Sequence, residues 1–77
     1  MRRHAVEQIA ERGLDRAWVE RVAMHPDWAE PDPKPGIVRH FGIVPERGGR
    51  ILRVVVADRD KERYVLTAHL DRGARRP

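Results

Sequence analysis

The stretch GIVRHFGIVPERGGRILRVVVADRDKERYVLTAHL, residues 36–70, decides the fold. Three runs within it alternate with a period of two: Ile37–Val44, Arg50–Ala57 and Arg63–Leu70. The first two are rich in β-branched residues, the third carries Tyr64, Val65 and Thr67, and all three read as strands. Pro45-Glu-Arg-Gly-Gly49 separates the first two, and its glycines supply the positive φ that a tight hairpin needs. Asp58-Arg-Asp-Lys-Glu62 is a charged turn between the second and third. Connections this short leave no room for a crossover, so the strands are antiparallel neighbours.

Upstream of Gly36 the periodicity is helical. Val6, Ile9, Ala10 and Gly13 follow helical spacing, which predicts a first helix over 2–12 with Gly13 as its stop. Asp15 is placed to cap a second helix over about 16–25, with Trp18, Val19, Val22 and Ala23 as its apolar stripe and Pro26 at its end. Pro26–Gly36 holds four of the six prolines of the chain, so it reads as an irregular loop with at most a short edge strand around Trp28. Residues 71–77 are a basic tail. Two helices followed by hairpins make an α+β domain: the helices pack on one face of a three- to four-stranded antiparallel sheet and leave the other face open.

Each strand then has a core side and an open side. In the last, Tyr64, Leu66, Ala68 and Leu70 form the greasier set, opposite Arg63, Val65, Thr67 and His69. In the middle strand Leu52, Val54 and Val56 oppose Ile51, Arg53 and Val55. The greasier sets are expected to face the helices, which puts Arg53, Arg63, Thr67 and His69 on the open face. The first strand reads either way: Arg39 shares a side with Ile37, Phe41 and Ile43, and His40 with Val38, Gly42 and Val44.

A chain of 77 residues has room for one domain, expected over 1–77, with a thin core. It has no cysteine, which excludes disulfides, thiolate metal sites and cysteine catalysis. It shows no membrane-length apolar run and no secretory leader, so the expected location is cytoplasmic, away from membranes. Lys+Arg number 16 against 12 Asp+Glu, with lysine only at Lys34 and Lys61. Arginine forks suit phosphate and carboxylate oxygens, which fits nucleic acid or an acidic partner, and the plainer reading is a GC-rich genome that favours arginine codons.

His4-Ala5 opens the first helix and Glu11-Arg12-Gly13-Leu14 closes it; further on come Leu52-Arg-Val-Val-Val56 and Tyr64-Val-Leu-Thr-Ala68. Over about residues 4–70 this order resembles an uncharacterised family of short bacterial proteins with an HA…ERGI…VVV…VVTA pattern. That family is in turn similar to the RelE/ParE and BrnT toxins of toxin–antitoxin modules. The resemblance implies an open sheet face that engages RNA, often on the ribosome, and a cognate antitoxin that covers it. Catalytic residues vary among such toxins, and some act on DNA gyrase instead. The positions here that match the family pattern are His4, Arg12, Gly13 and Thr67.

Metal-independent RNA cleavage needs a base for the 2′-hydroxyl, an acid for the leaving oxygen and positive charge at the phosphate. His69 is the candidate acid or base, Arg53 and Arg39 the phosphate clamp, and Thr67 a hydrogen-bonding partner for the RNA backbone. Arg63, His40, His4 and Arg12 are candidates for contacting nucleic acid. Each has a plainer reading. Solvation explains polar residues on an open strand face. His40 fits a satisfied core histidine, and Arg39 a partner for a carboxylate of the helix layer. His4 fits a tie from helix to sheet, and Arg12 suits a helix C-terminus. Trp18 reads as a core anchor, whereas Trp28 in a loop is able to stack on a base or a partner. His4, Glu7 and Glu11 have helical spacing, but exposed runs of this kind are common, and neither metal nor cofactor is expected. The expected function is that of a toxin-like RNA-binding domain that acts as a metal-independent endoribonuclease. The alternative is a non-catalytic module of the same fold that binds nucleic acid or protein. A third is a partner protein completed by homodimerisation through Ile51, Val55 and Val65.

Overall fold

A computed structural model describes residues 1–75. Helix α1 spans Arg3–Glu11 and α2 spans Arg16–Met24. Between them Gly13 takes φ +67°, which lets the chain turn, and the Leu14 N–H closes back on the Ile9 carbonyl at 3.0 Å. The Asp15 carboxylate accepts the Ala17 N–H at 2.8 Å and caps α2 as its sequence position implied. Ala5 and Ile9 are the buried positions of α1, while Ala10, expected inside, is exposed. The helix is rolled because it runs beside an edge strand, so the side that carries Gln8 and Arg12 also meets the sheet. In α2, Val19 and Val22 are buried and Trp18 and Ala23 half-buried, as the stripe predicted. Among the described residues no helix is long and apolar enough to cross a membrane.

The sheet has four antiparallel strands in sequence order: β1 (Trp28–Pro31), β2 (Ile37–Val44), β3 (Arg50–Arg59) and β4 (Glu62–Leu70). The β3–β4 turn is tighter than the charged segment suggested. It is the pair Asp60-Lys61, both at positive φ, the geometry of a two-residue hairpin. Strand β1 comes from the proline-rich segment and covers half of β2, pairing Trp28 with Phe41 and Pro31 with Val38. Just beyond it the Asp27 carboxylate accepts the Ile43 N–H at 2.7 Å, so the exposed edge of β2 does not keep a free donor there.

Strand β2 turns its histidine side to the helices. Val44 and His40 are buried, and Gly42 lies directly under α2. A Cβ on Gly42 would stand 2.5 Å from Val22 Cγ2, so this close approach needs glycine. His40 is 4% exposed, and its Nδ1 donates to the Ala23 carbonyl at 2.9 Å. Nε2 is thereby left as acceptor for the Arg63 guanidinium at 3.3 Å. The histidine is therefore a satisfied core residue that ties α2 to the sheet. It does not join the open-face cluster, and neither does Arg63, which reaches it from the helix side.

Strand β4 departs from simple alternation. Val55 pairs with Thr67 but Val56 with Val65, so Leu66 is an extra residue without a partner. This bulge turns Val65 inward, where it joins Leu52, Val54, Val56 and Ala68 in the core, contrary to its expected place on the open face. Leu66, expected inside, lies instead on the open side against Arg39 and Val55.

Gly42→Ala is expected to destabilise the fold by about 1–3 kcal/mol, the usual range for overpacking, and so to lower the thermal midpoint by several degrees. Adding Val22→Ala should recover part of that loss. Melting followed by circular dichroism checks both; a neutral Gly42→Ala would mean that α2 does not press on β2.

Candidate functional site

The register builds a row across all four strands on the open face. Trp28 pairs with Phe41, Phe41 with Arg53, and Arg53 with His69. Trp28 stacks on Phe41 with ring centroids 5.0 Å apart and planes 6° from parallel. The stack hides Phe41, which is 4% exposed although it lies on the open face. The next row along the strands is Glu30, Arg39, Val55 and Thr67. In the other direction Ile43 pairs with Ile51, and the Asp71 N–H donates to the Ile51 carbonyl at 2.8 Å.

Arg53 is under-satisfied. Its Nε is buried without a hydrogen-bond partner, and its nearest carboxylate, Asp71, stands 3.6 Å from Nη1. That is beyond good hydrogen-bond range. A half-buried guanidinium with donors to spare has the charge and geometry that suit an anion. His69 lies opposite it. Partial burial holds the His69 imidazole below the usual histidine range, and the Arg53 charge pushes the same way, with Arg12 adding to it. Asp71 opposes them. The lowered value favours neutral imidazole near pH 7, the form that accepts a proton.

Arg12 and Thr67 meet one another. The Arg12 Nη1 donates to the Thr67 hydroxyl at 3.1 Å and to the Ala68 carbonyl at 2.6 Å. The Thr67 hydroxyl in turn donates to Gln8 Oε1. This network fastens α1 to the edge of β4 and occupies Thr67, so its first role is to hold β4 in place. His4, expected to tie the helix to the sheet, is exposed on the first turn of α1, and Gln8 and Arg12 perform that task. Arg39 lies on the open face, where its Nε donates to Asp32 of the proline segment at 3.0 Å. Its carboxylate partner therefore comes from the loop and not from the helix layer. Asp32 is held below the usual carboxylate range first by the Lys34 backbone N–H and then by Arg39.

Thus Arg53, His69, Arg39 and Thr67 share one surface, Arg12 touches its edge, and His40, Arg63 and His4 lie elsewhere. Arg50, Arg72 and Arg75 extend the basic surface along a cleft of about 240 Å³ beside Ile51 and Asp71. Among the described residues none of these three pairs with a carboxylate. Sequence reasoning did not find Asp71, Asp32 or Gln8. Asp71 reads as tail and Asp32 as loop, Gln8 carries no signal of its own, and only the tertiary contacts bring them to the site. A cleft of about 540 Å³ lies apart from this surface beside Arg21, Gly42 and Glu46. There Arg21 grips Glu46 with two hydrogen bonds of 3.0 and 3.2 Å, which fastens α2 to the β2–β3 turn.

Among the described residues no three His, Asp or Glu side chains converge on a metal-sized site. A family model described as "Domain of unknown function (DUF4258)" matches residues 1–69. No curated protein and no solved structure matches the chain.

His69 should titrate by NMR with a midpoint below about 6.5. Arg53→Gln should move that midpoint up and Asp71→Asn should move it down, following the signs of the two charges. Because the folded value is depressed, the group's contribution to stability is present above the unfolded value and is lost as pH falls through the folded one. An unchanged midpoint in Arg53→Gln would show that the two side chains do not interact.

Proposed function

The chain belongs to the DUF4258 family, a domain of unknown function, and from that premise we propose that its open sheet face binds RNA and cleaves it without a metal ion. The observation that carries the proposal is the under-satisfied Arg53 directly opposite a His69 whose environment keeps it neutral. A phosphodiester would meet the terminal amino groups of Arg53, since the unpartnered Nε is buried. His69 takes the proton from the neighbouring 2′-hydroxyl, whose oxygen attacks phosphorus. The bond to the 5′-oxygen breaks, leaving a 2′,3′-cyclic phosphate, and the proton on His69 passes to the leaving oxygen. Arg53 stabilises the charge that builds on the phosphoryl oxygens. Trp28, at the far end of the same row, offers a ring on which a base can stack.

The resemblance to RelE- and BrnT-type toxins extends this proposal to its surroundings. The substrate would be messenger RNA in the cytoplasm, presented on the ribosome, and a cognate antitoxin would neutralise the domain by placing an acidic group on Arg53. With Val65 in the core and Leu66 on the open face, the homodimer alternative would rest on Ile51, Val55 and Leu66. A second reading, a non-catalytic RNA-binding module, is favoured by one observation. The charged groups that act on His69 are Arg53, Asp71 and Arg12, with no second histidine to share the proton transfers.

Incubation with a long unstructured RNA in EDTA separates these readings. The wild type should cleave, and folded His69→Gln should lose about a hundredfold or more in rate, the usual scale for a general base. The acid limb of the pH–rate profile should have its midpoint below the ordinary histidine value, because burial and Arg53 hold the base below it. Arg53→Gln should lose both cleavage and RNA affinity. Binding that depends on Arg53 without any cleavage would select the module. Absence of both binding and cleavage, on free RNA and on ribosomes, would remove the RNA reading.

A further inference from the structure

One row along from Arg53 and His69 the open face carries a groove of about 380 Å³ beneath the proline segment. Its apolar lining is Ile37, Val55, Leu66 and Pro33, and Arg39 and Asp32 stand at its polar side. Leu66 is there because of the bulge in β4. One Asp32 oxygen accepts the Lys34 backbone N–H and the other accepts Arg39 Nε, each at 3.0 Å. Both carboxylate oxygens are thus engaged, and the guanidinium is pinned by its inner edge. Among the described residues the two terminal amino groups of Arg39 have no protein partner. They form a preset pair of parallel donors beside an apolar slot.

We infer that this groove holds a guanine base, with Arg39 reading its O6/N7 edge. Two parallel donors match the two adjacent acceptors of guanine. Adenine sets an amino donor beside its N7, cytosine sets a donor in the equivalent place, and uracil offers one acceptor there. The apolar walls take the faces of the ring, and Asp32 fixes the reader at no cost in ordering on binding. The inference rests on the RNA reading for the rest of the ligand. Arg39, Val55 and Thr67 lie two residues along their strands from Phe41, Arg53 and His69. That offset is about 6.6 Å, within reach of one nucleotide. A guanosine in the groove would therefore bring its own 3′-phosphate to Arg53 and its 2′-hydroxyl to His69.

The test is an NMR titration of the full chain with the 3′-monophosphates of guanosine, adenosine, uridine and cytidine, followed on the methyl groups of Ile37, Val55 and Leu66. 3′-GMP should bind about tenfold or more tighter than the other three and shift those methyls. Arg39→Lys, which keeps the charge but loses the fork, should level the four. The 7-deaza analogue of 3′-GMP, which lacks the N7 acceptor, should lose the preference on the unaltered protein. Arg53→Gln should weaken all four together. Equal affinities, or shifts that miss the groove methyls, would overturn the guanine pocket. Guanosine without phosphate separates the two readings. If it shifts the groove while RNA neither binds nor is cleaved, the pocket stands alone. If RNA binds through Arg53 with no preference for guanine, the RNA surface stands and the pocket falls.

Discussion

Leu66 has no partner across β3, and much of the architecture follows from that one extra residue. Without it Val65 would face solvent and Leu66 the helices. With it, the strand brings Val65 to Val56 and still keeps Ala68 opposite Val54, so the last strand fills the core at both ends. The same irregularity pushes Leu66 onto the open face, where it walls the groove beside Arg39. It also sets Thr67 within reach of Gln8 and Arg12 of α1. A core this small has few residues to lose, and the bulge lets one strand serve the core, the groove and the helix contact.

The arginines sort themselves by what they find. Arg12 takes a hydroxyl and a backbone carbonyl, Arg21 a carboxylate, Arg39 a carboxylate and Arg63 a histidine nitrogen. These contacts stitch the helices and the proline segment to the sheet. Arg53 differs from these, because its Asp71 partner is distant and its buried Nε has no acceptor. In a chain rich in arginine the informative feature is therefore a buried guanidinium nitrogen without a hydrogen-bond partner, not the number of arginines. Its effect on His69 links structure to chemistry, since the charge that would hold a phosphate adds to burial in lowering the imidazole's affinity for a proton.

Three strands, two helices, the Asp15 cap and the stop at Gly13 are all legible in the sequence, because each depends on near neighbours: a period, a capping carboxylate, a residue free to take positive φ. The fourth strand was visible only as a hint at Trp28, since prolines mask a short edge strand. Arg53 and His69 were correctly placed together on the open face by alternation alone. Alternation failed at the bulge, which misplaced Val65, Leu66 and Arg63, because an inserted residue leaves no local mark in a run such as Tyr64–Ala68.

Local chemistry in this chain thus determined the element types, their order, the antiparallel sheet and the open polar face. The tertiary structure decided which side of β2 meets the helices, and the reason is steric: only Gly42 admits the close approach of Val22, and His40 follows it inward to a carbonyl of α2. It also decided which polar groups are left unsatisfied. That depends on partners far apart in sequence, such as Gln8 with Thr67, Arg39 with Asp32, and Arg53 with the distant Asp71, and no period along the chain encodes those distances.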